Sequence, residues 1–426
     1  MKKDFSMRIN KRTTWASIAL MMATTGMGSC SSHDNDAPLS NEDNEPMKLT
    51  LTRAEEALVN ESNDFAFNLF RQVTVPSSAE KEKSTILSPI SITYALGMLN
   101  NGAAGETQQQ INQVLGFGET GANGINDYCR KMLTAAPQLD KLTKVMIANT
   151  IFMNKDYEIL SDFKQKAKEY YDAEPETRDF HDGKTLGVIN QWASDHTEEM
   201  IKEVLNNESF NPDAVSYLLN AIYFKGAWAE KFNKDNTRDE AFEGTTNKVP
   251  MMHQAHKFDY TENELCQALC LPYGNGSYKM TILLPRENKT VNDVLQTLNK
   301  ESWQQYQHMG EAIVDVKLPR FESNTDQNLG DIMSALGMPK AFTDFAEFPD
   351  FCNVPTKIGL MKQVARIKLN EEGTEAAAVT VIGTIETTAI HSEPRRVNFH
   401  ATRPFLYVIS EQQTGAIFFI GKYLGD

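Results

Sequence analysis

Between residues 51 and 426 the apolar positions follow two rhythms, one of a helical turn and one of a strand, with helices early and strands late. Phe67, Leu69 and Phe70 make the apolar face of a helix that Asn63 is placed to cap. Ile92, Ala95, Leu96 and Leu99 recur at helical spacing after Ser91, another capping type. Residues 144–153 (KVMIANTIFM) and 217–224 (YLLNAIYF) are apolar runs too short and too β-prone for helices, which predicts central strands covered on both faces. Between them, Ile189, Trp192, Met200, Ile201 and Val204 predict an amphipathic helix over 186–205. Strands are predicted at 267–272, 278–284, 312–318, 405–409 and 416–420, the last two joined as a hairpin through Gln412-Gln413-Thr414-Gly415. The sum is an α+β chain. No linker of biased composition and no fixed-period repeat interrupts residues 51–426, so they read as one large domain.

The amino end is built differently. Residues 1–29 hold five basic residues and one acid, then an uncharged apolar stretch short for a membrane span, the pattern of an export signal. Met27-Gly28-Ser29 places small residues directly before Cys30, which resembles the lipobox of bacterial lipoproteins and makes Cys30 the expected acylated residue. Residues 30–50 then form an acidic, proline-containing tether. The expected location is the outer membrane or cell surface. A leader contributing a net +4 takes the charge from −15 to −19 when removed. That charge disfavours nucleic acid as a partner. Five cysteines in 426 residues are too few for a disulfide scaffold, so packing must carry the fold.

Catalytic and metal signatures are missing from the sequence. Residues 116–121 satisfy GxGxxG, but they follow a polar helical pattern instead of a strand and no clean helix is predicted at their end. Cys266 and Cys270 would lie about 13 Å apart along a strand, too far for a disulfide. His253 and His256 read as surface residues, so no metal and no cofactor is expected. One segment is unusual. Glu371, Glu372, Gly373, Thr374, Glu375, Ala376, Ala377 and Ala378 are followed by VTVIGTIETTAI, rich in Val, Ile and Thr. Thr374, Ala376, Ala378 and Thr380 would put only short side chains on one face of an extended chain, as suits a strand not yet inserted in a sheet. On composition alone, an ordinary helix over 374–378 followed by an ordinary strand ranks first.

The EEGTEAAA run resembles the hinge of the reactive-centre loop of serpins, and further matches in order extend the resemblance over residues 51–426. Residues 86–92 (ILSPISI), 189–192 (INQW), 220–228 (NAIYFKGAW), 336–338 (LGM) and 403–405 (RPF) resemble family segments. The resemblance implies three β-sheets, eight or nine helices and an exposed reactive loop at about 371–398. It implies a suicide trap: a protease cleaves the loop, and the cut strand inserts into the central sheet before the acyl-enzyme is hydrolysed. About 14 residues at 3.3 Å each span roughly 45 Å, one pole to the other. Counting along the family loop gives Thr387-Thr388 as the scissile bond, flanked by Ile385, Glu386 and Ala389, with Glu386, Thr388 or Ala389 as alternative cleavage positions. These residues suit elastase-like or subtilisin-like serine proteases, with papain-like cysteine proteases also eligible. Ser88, Ser91, Asn220 and Gln363 match the polar shutter below the opening sheet, and Trp228 matches the breach where insertion begins. Gln363 and Thr402 depart from the family pattern, where His and Asn are frequent. The expected protein is a monomeric inhibitor, not an enzyme; the alternative is a non-inhibitory relative whose loop is cut without trapping.

Overall fold

The structure, a computed structural model, describes residues 46, 48–74, 82–118, 120–374 and 395–426. The leader, Cys30, the tether to residue 45 and residues 375–394 lie outside them, and with these Glu375, Ala376, Ala377, Ala378, Ile385, Glu386, Thr387, Thr388 and Ala389. The described part has nine α-helices: α1 (Arg53–Thr74), α2 (Pro89–Asn100), α3 (Gly105–Val114), α4 (Gly121–Ala135), α5 (Ser161–Tyr171), α6 (Thr185–Asp195), α7 (Val291–Leu295), α8 (Lys300–Gln305) and α9 (Gly330–Leu336). Its strands are β1 (Thr85–Leu87), β2 (Thr143–Asn154), β3 (Glu176–Arg178), β4 (Ser216–Ala227), β5 (Arg238–Ala241), β6 (Lys248–Glu262), β7 (Cys266–Tyr273), β8 (Tyr278–Pro285), β9 (Gly310–Pro319), β10 (Phe321–Asn328), β11 (Leu360–Asn370), β12 (Gly373–Thr374), β13 (Arg396–His400), β14 (Phe405–Glu411) and β15 (Ile417–Tyr423).

Hydrogen bonding orders one sheet as β10-β11-β12-β4-β2-β3 and a larger network as β1-β15-β14-β8-β7-β6-β9-β13, with β5 on β6. The larger network is two sheets sharing one long strand, since residues 251–260 of β6 pair with β9 and residues 259–262 with β7. Together these are the three sheets and nine helices of the expected α+β architecture.

Period-two alternation explains why β2 and β4 read as continuous apolar runs. Ile151, Met153, Leu218, Ile222 and Phe224 enter the main core. Phe152, Tyr217 and Leu219 face the other way, into a second cluster under α6 with Ile189, Ala193, Ile201, Val204 and Leu205. Both faces are dry.

Several local expectations are corrected. Asn63 caps nothing; it is buried within α1, where Nδ2 donates to Gly415 O (3.1 Å) and Oδ1 accepts from Ile417 N–H (3.1 Å), tying the helix to the β14–β15 turn. The capping box that starts α1 is Thr52 with Glu55: Thr52 Oγ1 accepts from Glu55 N–H and Glu55 Oε2 accepts from Thr52 N–H. In α2 the cap position is Ser88, with Pro89 opening the helix, and Ser91 lies inside the first turn. The helix expected over 186–205 stops at Asp195, because Glu198 and Glu199 take φ values of 48° and 61° that a right-handed helix cannot contain. A helix, α4, does begin at Gly121 where none was expected after the GxGxxG run, but what precedes the run is the helix α3, not a strand.

Candidate functional site: a half-open seam

The six-stranded sheet has a seam at its middle. At one end β11 and β4 pair directly and in parallel, from Leu360↔Tyr217 to Val364↔Ala221. At the other end β12 wedges between them, with Gly373 and Thr374 paired to Asn370 and Leu369 on one side and to Ala227 and Gly226 on the other. Between the two ends, residues 365–368 of β11 and 222–225 of β4 have no ladder pairing to each other among the described residues. A chain continuing from Thr374 in the direction of β12 would run into this gap and complete both ladders.

Four residues picked out from sequence meet at the closed end. Gln363, fully buried, donates Nε2–H to Ser88 O (2.9 Å), Ser91 Oγ (2.9 Å) and Asn220 Oδ1 (3.0 Å), and its Oε1 accepts from Ser88 N–H (3.0 Å). Asn220 Nδ2 donates to Ser91 O (3.1 Å) and to Asn149 Oδ1 (2.7 Å). Ser91 Oγ lies 2.5 Å from Asn220 Oδ1 and 2.9 Å from Ser88 O, between which its single proton must choose. Because β11, β4, β2 and α2 each supply a member, the network crosses the seam. Asn149 was missed from sequence; a lone amide in the apolar run KVMIANTIFM was the available signal, since a buried polar side chain needs a partner.

The wedged end is aromatic and charged. Trp228 stacks on Tyr273 with ring centroids 4.4 Å apart and planes 12° apart. Its Nε1–H donates to Asn370 O (2.9 Å) and its backbone N–H to Glu372 O (2.8 Å). The Tyr273 hydroxyl is 2.6 Å from Thr374 Oγ1, and burial pushes its pKa up, so it stays a neutral hydrogen-bonding group. Gly373 is required here: at φ 147° a Cβ would sit 2.1 Å from Gly226 O and 2.7 Å from Ala227 Cα.

Two acids anchor the turn before the wedge. Glu371 is 2% exposed, and burial alone would push its carboxyl up. The Arg320 guanidinium and Thr237 Oγ1–H (2.6 Å) more than offset this and hold it below the usual carboxylate value. Glu372 lies 2.9 Å from Lys234 Nζ and 3.0 Å from Lys231 Nζ, and these two ammonium groups hold its carboxyl down. Sequence reading identified Glu371 and Glu372 but none of their partners, which come from distant loops and strands.

No group of His, Cys, Asp and Glu among the described residues could hold a metal ion. Cys266 and Cys270 are buried free thiols whose pKa values burial raises, that of Cys270 to about 12. His253 is less exposed than expected and lies 2.8 Å from Glu240 Oε1, while His256 is half-exposed.

Comparison with known proteins agrees with this geometry. The family described as Serpin (serine protease inhibitor) matches residues 60–425. Human Serpin B4 is 32% identical over 384 residues, covering 84% of this chain and 97% of that protein. The native-state structure of tengpin, a thermophilic serpin, superposes with a TM-score of 0.78 at 27% identity, covering 90% of this chain and 97% of its own. A thyroxine-binding globulin solved in complex with thyroxine gives a TM-score of 0.76 at 27% identity, covering 86% of this chain and 98% of that one. The chain belongs to the serpin family.

Proposed function

We propose that this protein is an irreversible suicide inhibitor of elastase-like or subtilisin-like serine proteases, with papain-like cysteine proteases as a further target class. The observation that carries the reading is the wedge: β12 has entered the β11–β4 seam by two residues, and among the described residues no strand fills the gap beyond it. Cleavage of the segment after Thr374, at Thr387-Thr388, frees that segment to run down the gap. Each inserted residue gains ladder hydrogen bonds and buries side chains, and the small residues Thr374, Ala376 and Ala378 enter without clash. An acyl-enzyme still attached is carried along and distorted before water can release it. On this reading the network of Ser88, Ser91, Asn220 and Gln363 is the shutter that must part, and Trp228 marks the point of entry.

The direct test is a denaturing gel after brief exposure to an elastase, with the mass of the released peptide. A detergent-stable band at the summed mass and a peptide beginning at Thr388 are the expected results. Thr374→Arg should abolish the band while leaving cleavage intact, because a cation cannot enter the buried slot beside Tyr273. A second reading, a binding protein cut without trapping, is favoured by the likeness to a thyroxine-binding globulin. Melting curves separate the two: the cut inhibitor should become far more heat-resistant, the cut binding protein should not.

We propose that the protein is acylated at Cys30 and held on its acidic tether at the bacterial outer membrane or cell surface. Labelling with a radioactive fatty acid, lost in Cys30→Ala, tests this.

A further inference from the structure

Away from the seam, a surface cavity of about 390 Å³ opens beside β13, lined by Gln267, Arg286, Glu287, Asn398, His400 and Arg403. Asn398 and His400 belong to β13, Arg403 to its connection with β14, Arg286 to the turn after β8 and Gln267 to β7. The cavity joins strands that are not neighbours in the hydrogen-bond ladder.

Its cations are incompletely used. Arg403 donates Nε–H to Pro285 O (2.8 Å), and among the described residues its two terminal nitrogens have no protein partner. Arg286 donates Nε–H to Asn263 O (3.0 Å) and Nη2–H to Glu262 Oε2 (2.7 Å), but Glu262 is shared with Arg395, so one carboxylate serves two guanidiniums. His400 turns Nε2 toward Asp315 Oδ2 (3.6 Å), where it is closed to water, so this nitrogen is not offered to the cavity. Gln267 Nε2–H donates to Tyr260 OH and to Asn398 O, which fixes the wall between β7 and β13. Glu287 is the one acid of the lining; it is exposed and makes no ion pair among the described residues. Unpaired fork donors and an amide line a space large enough for a small ligand.

We infer that this cavity binds a small oxyanion, phosphate or carboxylate, held by Arg403 and Arg286 and by the side-chain amide of Asn398. The planar guanidinium of Arg403 suits two oxygens of such a group, which a point charge would not select. The consequence falls on β13, a strand of five residues whose single ladder partner among the described residues is β9. A bound anion would fasten β13 to the ends of β7 and β8. It would act on the strand that begins just after the segment 375–394.

The experiment is titration of the full chain with inorganic phosphate, and separately with citrate, at constant ionic strength made up with sodium chloride. Binding is read by calorimetry and by amide hydrogen exchange of residues 396–400. Saturable one-to-one binding on the order of 1 mM or tighter, with slowed exchange in β13, is expected. Arg286→Gln should weaken it about tenfold and Asn398→Ala about threefold, as each removes one donor. Arg403→Gln also releases Pro285 O and Arg286→Gln also releases Asn263 O, so Asn398→Ala, whose side chain makes no hydrogen bond among the described residues, is the variant free of that effect. Tighter citrate binding assigns a carboxylate ligand, and tighter phosphate binding assigns a phosphate. An effect no larger than that of chloride, or variants that bind like the parent, overturns the proposal. None of these readouts requires protease inhibition, so the result stands apart from the inhibitory reading.

Discussion

The two ends of the β11–β4 seam are held by different physics. The closed end is a buried network of neutral groups, Gln363, Asn220, Asn149, Ser88 and Ser91, in which no member titrates near neutral pH. The wedged end is held by carboxylates against cations, Glu371 with Arg320 and Glu372 with Lys231 and Lys234, beneath an aromatic stack. Neutral buried hydrogen bonds ignore salt and pH but tolerate no loss of a partner. Partly exposed ion pairs give less and respond to both. One sheet therefore combines an insensitive lock with an adjustable entrance.

The largest break in this contrast is expected from Asn220→Ala, which leaves Gln363, Ser91 and Asn149 short of partners at the closed end. Destabilisation of about 2–4 kcal/mol in a denaturant titration is expected, independent of salt. Gly373→Val should follow at about 2–3 kcal/mol, since it combines a forbidden φ with backbone overlap at Gly226, and it should release the wedge. Gln363→His tests neutrality itself. A fully buried imidazole is held neutral, so its folded pKa falls below the unfolded value near 6.5 and stability drops as pH is lowered through that value. The parent should show no such step between pH 7.5 and pH 5.5 from this region, a difference of about 1 kcal/mol at the lower limit.

At the wedged end the carboxyls of Glu371 and Glu372 lie lower in the folded state. Their contribution is present above the unfolded value near 4.5 and is lost as pH falls through the lower folded values. Arg320→Gln should lose about 1–2 kcal/mol, because the near-inaccessible Glu371 keeps Thr237 and its own backbone N–H but no cation. Glu372→Gln is the smallest change, less than about 1 kcal/mol and shrinking in high salt. A salt-sensitive Asn220→Ala or a salt-insensitive Arg320→Gln would reverse the assignment of the two ends.

Legibility from sequence followed the source of each residue's environment. β2, β4, β7, β8, β9, β14 and β15 were readable because burial forces their composition, on both faces in β2 and β4. β10 was not, since FESNTDQN is a polar edge strand recognisable only from its eight pairings with β11. β6 was hidden by its length and its polar residues, which serve two sheets at once. At the seam, Gln363, Asn220, Ser88, Ser91 and Trp228 were reached through the family resemblance, and their meeting is a fact of the fold. Tyr273, Arg320, Thr237, Lys231 and Lys234 were out of reach, because only the sheet and its connecting loops bring them to the hinge. The helix expected over 186–205 shows the limit of periodicity: Ile201, Val204 and Leu205 continue the apolar face of α6 without continuing the helix.

The stacking of Trp228 on Tyr273 has an optical corollary. Of the three tryptophans among the described residues, Trp303 packs against Phe67 and Tyr306 in the main core and Trp192 lies on α6, while Trp228 alone touches the segment that leads into the gap. Its indole N–H is bonded to Asn370 O, and its partner ring is bonded to Thr374. Movement of the hinge alters both contacts at once, so the emission of this single indole follows the sheet as it opens. The protein carries its own fluorescent probe at the place where a label would otherwise have to be attached.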